Sequence, residues 1–489
     1  MSVNDPWQFS SSPLKADDCR VLAFTGTEAV SEGYAFDILL AASKTKPEQA
    51  RSLQEDLLRA PQLTLTGQGG KSGERFSWNG IAQKVTYAFP TPAGAVYRVQ
   101  LRPRSWRLNN STHSQIFLNL SLPKLLNKLL VEEGLSAGTD FADEMKGTYK
   151  ASPFTCRYNE SAFAFLSRRL ERVGAYTYIR QTDNGDTLVL ADGKSTPEAL
   201  APHDTLDRRE GTEPGTVFSF AHTLSDGPNK VTLRDYSSED PGLTAGKAEG
   251  SGGNPWGHGE YASYGDFGLF GEVDCYSKEF SRSDAKAAAD NLASVHLSAL
   301  ACAAEHADGR STVPWLRAGY TVGLDKERYL LVRVRHRYVM SRDNLEEDII
   351  ERARRFGFLS EGAAPGYRNE FACRPLTAGP YVPEKRTPGP VIAGVVHAEI
   401  DAAGSGEYAE LDKHGRYKVK FHFAEKVFFA DGSDPGDGSN SIPLRLMQAH
   451  AGEQSGIHFP LLKGVEVLTA FVNGDPDRPI LLGCLPNAA

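Results

Sequence analysis

Asp475 and Asp477 are two acidic residues that lie two positions apart. Such a pair can serve acid–base catalysis or hold a metal ion. Both lie in the run Gly474-Asp475-Pro476-Asp477-Arg478-Pro479, between two apolar runs that read as strands. In a turn of this kind Asp accepts backbone hydrogen bonds and Pro fixes φ. The pattern therefore favours a structural turn over a catalytic pair.

Other motifs associated with catalysis are incomplete. The runs 70–72 and 193–195 both read Gly-Lys-Ser, but Leu65 and Leu188 stand where a phosphate-binding loop needs its leading glycine. The sequence contains no H-E-x-x-H and no G-x-S-x-G. Its six cysteines are scattered singly, which favours reduced thiols over a zinc or redox site. We therefore predict no enzyme, no cofactor and no metal.

Length and composition limit the class of protein. The 489 residues are enough for about three domains, and 40% apolar content is enough to form cores. A net charge of −8 gives no general attraction for nucleic acid or anionic lipid. The N-terminus has neither a basic start nor an apolar run, and no stretch approaches the ~20 apolar residues of a membrane span. We expect a protein that is made in the cytoplasm and is soluble there.

A turn and strand near the start of the last hundred residues position the acidic motif. Residues 417–423 alternate apolar and polar side chains, the period of a half-buried strand, and 412–415 form its turn. Further strands are predicted at 391–400, 442–448, 465–471 and 480–483. Five short strands in about a hundred residues predict a Greek-key barrel of the OB type.

Strands and inserted helices are predicted in the rest of the chain. The strand patterns lie at 21–24, 34–39, 63–66, 82–87, 97–101, 176–180, 187–190, 231–236 and 319–340. The helical patterns lie at 48–59, 121–134, 159–174 and 283–307. The third helix is predicted to point Phe163, Leu166, Leu170 and Val173 inward and Arg168, Arg169, Glu171 and Arg172 outward. Residues 245–271 are glycine-rich and are predicted to form a mobile surface loop.

Arg333, Arg335 and Arg337 share one face of a predicted strand. Such a face is either solvated or a docking surface for an acidic partner. Five prolines between 374 and 390 predict a stiff extended linker ahead of the last domain.

Two sets of motif residues carry a family resemblance. The first set is Gly415, Arg416, Lys418, Val419, Phe421 and His422, followed by Gly474 to Pro479 and Gly483. The second comprises 158–166 and 170–176, and the connector at 367–371 also matches. These residues resemble the valine-glycine-repeat protein G (VgrG) family, the spike proteins of type VI secretion systems, which are similar to phage tail baseplate hubs. The chain departs from the family pattern at Ala164, at 441–446 and at 460–467.

The resemblance implies a mainly β fold with inserted helices. It divides the chain into a first β-barrel lobe of the hub (1–110), an α/β insert with completing strands (111–240), a second β-barrel lobe (241–373), a Pro-rich linker (374–389) and an OB-fold domain (390–489). The family's C-terminal β-helix needle would begin where this sequence ends, and no needle is present in it.

The resemblance also implies function and partners. It implies a non-enzymatic homotrimer that caps an Hcp-type hexameric tube, carries effectors and, in a full-length spike, bears a PAAR-type tip protein. Contact with the target membrane would be transient, and export would use the contractile machine without a signal peptide. A phage or tail-like particle hub and a tail-associated cell-wall lysin are the alternatives. Binding of nucleic acid by the OB module is disfavoured, since 390–489 has eight basic and thirteen acidic residues.

Overall fold

The description of the fold covers most of the chain. The computed structural model describes residues 6–43, 49–69, 73–182, 185–201, 203–228, 230–235, 245–249, 272–276, 285–341, 347–355, 357, 364–402, 406–429, 441–452 and 455–487.

Strands dominate these residues. In chain order they are β1 Trp7–Ser11, β2 Cys19–Ala29, β3 Gly33–Ser43, β4 Leu63–Gly69, β5 Glu74–Thr91, β6 Gly94–Arg102, β7 Thr112–Leu120, β8 Phe141–Asp143, β9 Ser152–Ser161, β10 Tyr176–Thr182, β11 Gly185–Ala191, β12 Asp207–Arg208, β13 Thr216–Leu224, β14 Lys230–Arg234, β15 Ala245–Glu249, β16 Glu272–Tyr276, β17 Glu305–Ser311, β18 Thr321–Leu324, β19 Glu327–Val339, β20 Gly366–Pro375, β21 Val395–Asp401, β22 Arg416–Phe421, β23 Lys426–Phe429, β24 Ile442–Arg445, β25 Glu466–Phe471 and β26 Pro479–Cys484. The helices are α1 Ala50–Arg59, α2 Leu122–Glu132, α3 Ala162–Arg172, α4 Ala285–Ala304 and α5 Glu347–Arg355.

Contacts divide the chain into two compact units. The first, called the large unit here, comprises 1–106, 136–146 and 170–385. The second, called the small unit, comprises 107–135, 147–169 and 386–489. The residues of the predicted α/β insert are thus divided between the units, and part of them belongs with the last hundred residues.

A 12-stranded sheet forms the centre of the large unit. Its strand order is β1-β4-β5-β6-β3-β2-β19-β20-β17-β13-β12, with β18 paired to β19. The strands predicted for two hub lobes therefore lie in one hydrogen-bonded sheet, joined where β2 pairs antiparallel with β19. The buried aromatic side chains Phe9, Phe36 and Trp78 belong to its core. Helix α5, which has no counterpart among the predicted helices, packs Ile349 and Ala353 into an apolar cluster of this unit.

Two further sheets of three strands belong to the large unit. Strands β10, β11 and β8 form one, and β15, β14 and β16 form the other. The second corrects part of a prediction, since 245–249 is the strand β15, paired with β14, rather than loop. The rest of the predicted loop, 250–271, lies outside the described residues.

The small unit contains two sheets. The five-stranded sheet has the order β24-β22-β21-β25-β26, and β23-β7-β9 forms the second. One core cluster joins them, in which Ile116 and Leu118 of β7 pack with Tyr417, Val419 and Phe421 of β22. Because β23 pairs in parallel with β7, a segment from early in the chain completes the packing of the last hundred residues.

The helix predictions are confirmed at α1 and α2 and corrected in part at α3 and α4. The leucine stripe of α2 is buried, and Gly134 follows its end with φ +85°. Helix α3 buries Phe165 and Glu171, although Glu171 was expected to face outward. Helix α4 ends at Ala304 rather than 307 because the chain enters strand β17 at Glu305.

The expected connector at 367–371 is also corrected. These residues lie inside β20, which pairs with β17 and with β19, so they belong to the large sheet. Asn369 and Phe371 are buried there. Alternating burial along β20 explains the assignment, since one face of the strand packs into the core.

Candidate assembly surfaces

The turn at 412–415 is built around the Asp412 carboxylate. Its Oδ1 accepts the backbone N–H groups of His414 at 2.8 Å and Arg416 at 3.0 Å, and its Oδ2 accepts Nε of Arg416 at 2.7 Å. Gly415 has φ +70° and donates its N–H to the carbonyl oxygen of Asp412 at 2.9 Å. Burial acts to raise the pKa of Asp412, but hydrogen bonds from Arg416 and His414 outweigh it, so the pKa lies below its ordinary value. The predicted turn before β22 is confirmed.

Strand β22 has the alternation expected from sequence. Val419 and Phe421 are buried, while Lys418 is exposed, and His422 is exposed just beyond the strand. The apolar residues pack into the core of the small unit. Phe421 therefore stabilises the sheet and is not available to stack on nucleic acid bases.

The acidic motif is a structural turn whose second acid pairs with a distant segment. Asp475 accepts the N–H of Asp477 at 3.0 Å, and Gly474 has φ +73°. Asp477 accepts the N–H of Cys156 at 2.7 Å and binds Nη1 of Arg169 at 2.5 Å. The Asp477 side chain is only 4% exposed, so a substrate or solvent-borne metal has no direct access to it.

The rest of the motif forms the hairpin. Arg478 donates its N–H to Asp475 O at 2.9 Å, and Pro476 is buried. Pro479 opens β26 opposite Phe471, and Gly483 pairs with Leu468. The motif residues thus hold β25 and β26 in register.

Arginines expected to face solvent on α3 are instead paired and largely buried. Arg168 binds Glu160 at 2.6 Å, with side chains 10% and 7% exposed, and Arg169 binds Asp477. Burial lowers the pKa of Arg168, but hydrogen bonding to Glu160 and its charge outweigh that effect, so the pKa is raised. The helical period predicted which face of α3 would be exposed to solvent. Glu160 and Asp477, which lie outside the helix, pair with the arginines of that face and cover it.

A further buried ion pair in the small unit was not predicted either. Arg157 is fully buried and binds Glu133 Oε1 at 2.7 Å, Gln115 Oε1 at 2.9 Å and Glu160 O at 3.0 Å. Its Nη2 also donates to Ser111 O at 3.2 Å. The partners lie in and just before β7, directly after α2 and at the end of β9, so one guanidinium joins three segments. No sequence signal marks it, because a lone Arg in a strand has no motif.

The arginine face of β19 is partly compensated. Arg333 binds Glu32 at 2.7 Å, while Arg335 and Arg337 are exposed. Arg335 lies opposite Glu370, and Arg337 lies opposite Arg368 on β20. The face therefore presents a net positive surface that contains one acidic cross-strand neighbour.

A chain of polar side chains runs inside the core of the large unit. Glu28 Oε1 accepts the Trp78 indole N–H and lies 3.1 Å from His336 Nε2. His336 Nδ1 lies 2.6 Å from the Tyr367 hydroxyl, which accepts Asn369 Nδ2 at 3.1 Å. Burial raises the pKa of the Tyr367 hydroxyl.

This chain is closed to substrate. Glu28 is 6% exposed and His336 2%, and the rings of Phe36 and Trp78 each lie 5.3 Å from the His336 ring. The network is buried but not fully satisfied, since His336 Nε2 makes no well-aligned hydrogen bond among the described residues. Sequence analysis missed it because the residues lie on separate strands far apart in the chain.

No group of three or more His, Cys, Asp or Glu side chains is placed to hold a metal ion among the residues that the structure describes. No helix within the described ranges has the length and apolar content needed to cross a membrane.

The large, mainly antiparallel sheet and the inserted helices define a mainly β protein with a phage hub-like fold. The chain belongs to the phage tail baseplate hub (GPD) family, whose model matches residues 27–342.

Curated relatives match over nearly the whole chain. The Pseudomonas aeruginosa type VI secretion system spike proteins VgrG1b and VgrG1a are 26% and 27% identical over 98% and 97% of it. The chain spans 60% of VgrG1b and 69% of VgrG1a. The Vibrio cholerae actin cross-linking toxin VgrG1 is 28% identical, and the chain spans 40% of it.

Solved structures share the fold at low identity. An E. coli type VI secretion component, which resembles the T4 bacteriophage tail proteins gp27 and gp5, superimposes with a TM-score of 0.63 at 20% identity, covering 98% of this chain and 100% of that one. A chain of the half-lidded Francisella PdpA–VgrG complex gives 0.56 at 12% identity, covering 99% of this chain and 78% of that one.

Proposed function

We propose that this protein is the spike and hub of a type VI secretion system, a structural component without enzymatic activity. The observation that carries the proposal is the match to named spike proteins along 98% of the chain, across both units. The geometry agrees, since the residues that could have done chemistry hold turns and strands together. The toxin activity of the Vibrio relative is not proposed here, because this chain spans 40% of that protein.

The last hundred residues are proposed to form an OB-fold barrel. The strand order in this sheet is β24-β22-β21-β25-β26. When the five strands are numbered in chain order, from β21 as the first to β26 as the fifth, the sheet order is third, second, first, fourth, fifth. Leu446, just after β24, bridges in parallel to Leu481 of β26, which brings the two edge strands together. This pairing is that of a five-stranded Greek-key barrel. The two hub lobes, the insert and the Pro-rich linker at 374–389 belong to the same proposal.

A homotrimer is proposed from the distribution of apolar surface. Of the twelve large apolar side chains that are exposed among the described residues, eight lie between 391 and 462. Phe459 is 76% exposed and Val391 72%, and Tyr408 lies beside Leu462 in an antiparallel bridge. Apolar surface concentrated in one unit is typical of an interface. A closed threefold arrangement would cover it in every copy and would match a sixfold tube.

The arginine face is proposed to dock an acidic partner, an Hcp-type hexameric tube. Arg335 and Arg337 are exposed on a strand whose opposite face is buried, so the surface can bind without rearranging the core. A PAAR-type tip and effector cargo would complete the full-length spike. The protein would be assembled in the cytoplasm and exported by the machine.

The second candidate is the hub of a phage or a tail-like particle, which the family itself favours. Both candidates use the same fold as a structural cap on a tube. The genes beside this one distinguish them, because sheath, tube and secretion-membrane genes mark a secretion system, whereas capsid genes mark a phage.

The test mixes the purified chain with the tube protein of the same genome and weighs the products by native mass spectrometry. We expect a complex of three copies of this chain with six of the tube protein. No association at tens of micromolar would contradict the proposal. Release of peptidoglycan fragments above a heat-inactivated control would favour a lysin instead, and salt-sensitive micromolar oligonucleotide binding would favour a nucleic-acid module.

A further inference from the structure

A cavity of about 350 Å³ lies within the large unit, where the end of β20 meets the segment that follows it. Its wall includes Arg374 and Leu330 from the large sheet, Tyr176 from β10, and Pro380 and Tyr381 from the segment after β20. The rings of Tyr176 and Tyr381 meet edge to face at 5.2 Å. The cavity is therefore mainly apolar and aromatic, with one cationic side chain in its wall.

Arg374 is buried without a carboxylate partner among the described residues. It is 4% exposed, its Nη2 donates to Ala378 O at 2.5 Å, and its Nη1 donates to the Cys302 sulfur. Its Nε is buried and has no hydrogen-bond partner in the described part of the chain. Among the described residues the guanidinium thus contacts only neutral groups, whereas the buried Arg157 and the largely buried Arg168 each bind a glutamate.

Burial lowers the pKa of Arg374 to about 10, which leaves the guanidinium charged at neutral pH. A buried charge that lacks a counter-charge is strongly unfavourable. An anion that entered the cavity would remove this penalty.

The acidic residue in the same wall is already satisfied. Asp192 Oδ1 accepts the N–H groups of Lys194 at 2.9 Å and Ser195 at 3.0 Å, and its Oδ2 accepts the N–H of Lys146 at 2.9 Å. These donors stabilise the carboxylate in place and turn its oxygens toward the backbone. Arg374 therefore carries the uncompensated charge of the cavity.

We propose that this cavity binds a small organic carboxylate, with Arg374 pairing with the carboxylate and Tyr176, Tyr381, Pro380 and Leu330 contacting its apolar body. A volume near 350 Å³ lies at the lower end of ligand sites, which run from about 300 to 1,000 Å³, so the body is a single ring or a short branched chain. The carboxylate comes either from a free acid or from the carboxyl terminus of a bound peptide.

Calorimetric titration of the full chain tests the site with defined probes. Phenylacetate is compared with phenylacetamide, which has the same shape without the charge. A hexapeptide ending in phenylalanine is compared with its C-terminal amide. We expect saturable binding of phenylacetate and at least tenfold weaker binding of the amide, because a charge-assisted pair with arginine is lost. If the free-acid peptide binds more tightly than phenylacetate, the carboxylate is that of a peptide's C-terminus. If phenylacetate binds more tightly, the carboxylate is that of a free acid.

Variants assign the binding to Arg374. Arg374→Met is expected to weaken phenylacetate binding roughly tenfold or more, and Arg374→Lys to weaken it less. Arg335→Met, an exposed arginine of the same sheet, is the matched control and should bind as the parent does. Without ligand, Arg374→Met should melt no lower than the parent, since an unpaired buried charge is replaced by an apolar side chain.

Three results would overturn the proposed carboxylate site. Absence of saturable phenylacetate binding, equal binding of acid and amide by the parent, or unchanged binding by a folded Arg374→Met would each overturn it. If Arg374→Met does not fold, the acid–amide comparison on the parent and the Arg374→Lys titration still decide.

Discussion

Gly415 fixes the turn before β22 through its backbone conformation alone. Its φ is +70°, and no heavy atom lies within 4 Å of the position a Cβ would occupy, so space is not the constraint. A left-handed conformation is unfavourable by about 1–2 kcal/mol for most residues and more so for a β-branched one.

We therefore expect Gly415→Val to lower the free energy of unfolding of the full chain by about 2 kcal/mol, and Gly415→Asn by less, since Asn tolerates positive φ. Urea unfolding measures both. Gly483→Ala is the matched control, because Gly483 has open space and no positive φ. Equal midpoints for Gly415→Val and the parent would contradict the turn geometry.

Asp412 makes the same turn sensitive to acid. Its pKa in the folded state lies below the ordinary value of about 3.9, so the folded state favours the carboxylate. That contribution to stability is present above about pH 4 and is lost as the pH falls through the folded-state pKa.

We expect Asp412→Asn to be less stable than the parent at pH 7, with the difference shrinking toward pH 3. Denaturant unfolding at several pH values measures it. A difference that stays constant from pH 7 to pH 3 would show that hydrogen-bond geometry, not the charge, stabilises the turn.

The sequence predicted the turn at 412–415 well and the turn at 474–479 in part. Asp412 and Gly415 act within four residues, so local chemistry was sufficient. Asp477 was correctly interpreted as a turn residue, yet its partners Cys156 and Arg169 lie 321 and 308 residues away. Contacts at that separation depend on tertiary packing, which no local pattern contains.

At the scale of elements, Asp477 joins the β25–β26 hairpin to β9 and α3. Its replacement by Ala leaves a largely buried guanidinium and a backbone N–H without their acceptor. Breaking one side of a buried ion pair lowers stability by about 3–5 kcal/mol. We expect Asp477→Ala to lower the unfolding free energy by roughly that amount.

Asp475→Ala is the matched control in the same motif. Asp475 accepts one N–H at 3.0 Å, so its loss should lower stability by about 1 kcal/mol. Thermal and urea unfolding of both variants provide the comparison. Equal effects would mean that the hairpin turn matters and its link to α3 does not.

The arginine face belongs to a single element, β19. Changing Arg333, Arg335 and Arg337 to Glu should leave the fold intact, because Val334 and His336 on the buried face are untouched. We expect weaker attachment to the tube protein, measured by co-sedimentation, with the melting temperature changed little.

The matched control changes Arg51 and Arg59, which are exposed on α1, to Glu. If both sets of variants bind the tube equally well, the arginine face is ordinary solvated surface. If the β19 variants alone fail to bind, the face is a docking surface.

The sequence pattern predicted the positions of strands and helices better than it predicted which strands pair. Alternation located β22 and β25, and the leucine stripe located α2, because period and burial are local properties. The pairing of β2 with β19 joins residues about 300 positions apart and merges the strands of two predicted lobes in one sheet. The pairing of β7 with β23 likewise assigns an early segment to the small unit. Neither pairing leaves a signature in either strand alone.

At the scale of the whole molecule, exposed apolar surface is concentrated in the small unit, where eight large side chains between 391 and 462 are exposed. Tyr417, Val419 and Phe421 are buried in the core of the unit, and the exposed side chains lie outside that core. In the proposed homotrimer, closed rotational symmetry would cover the same patch in every subunit.

Light scattering behind a sizing column, repeated across a dilution series of residues 1–489, tests the central claim that this chain is the structural hub of a spike. We expect a mass of three chains at high concentration and dissociation on dilution. Phe459→Asp, which places a charge in the exposed apolar surface, should shift that dissociation to higher concentration without lowering the melting temperature. A single-chain mass at every concentration up to tens of micromolar would contradict the account.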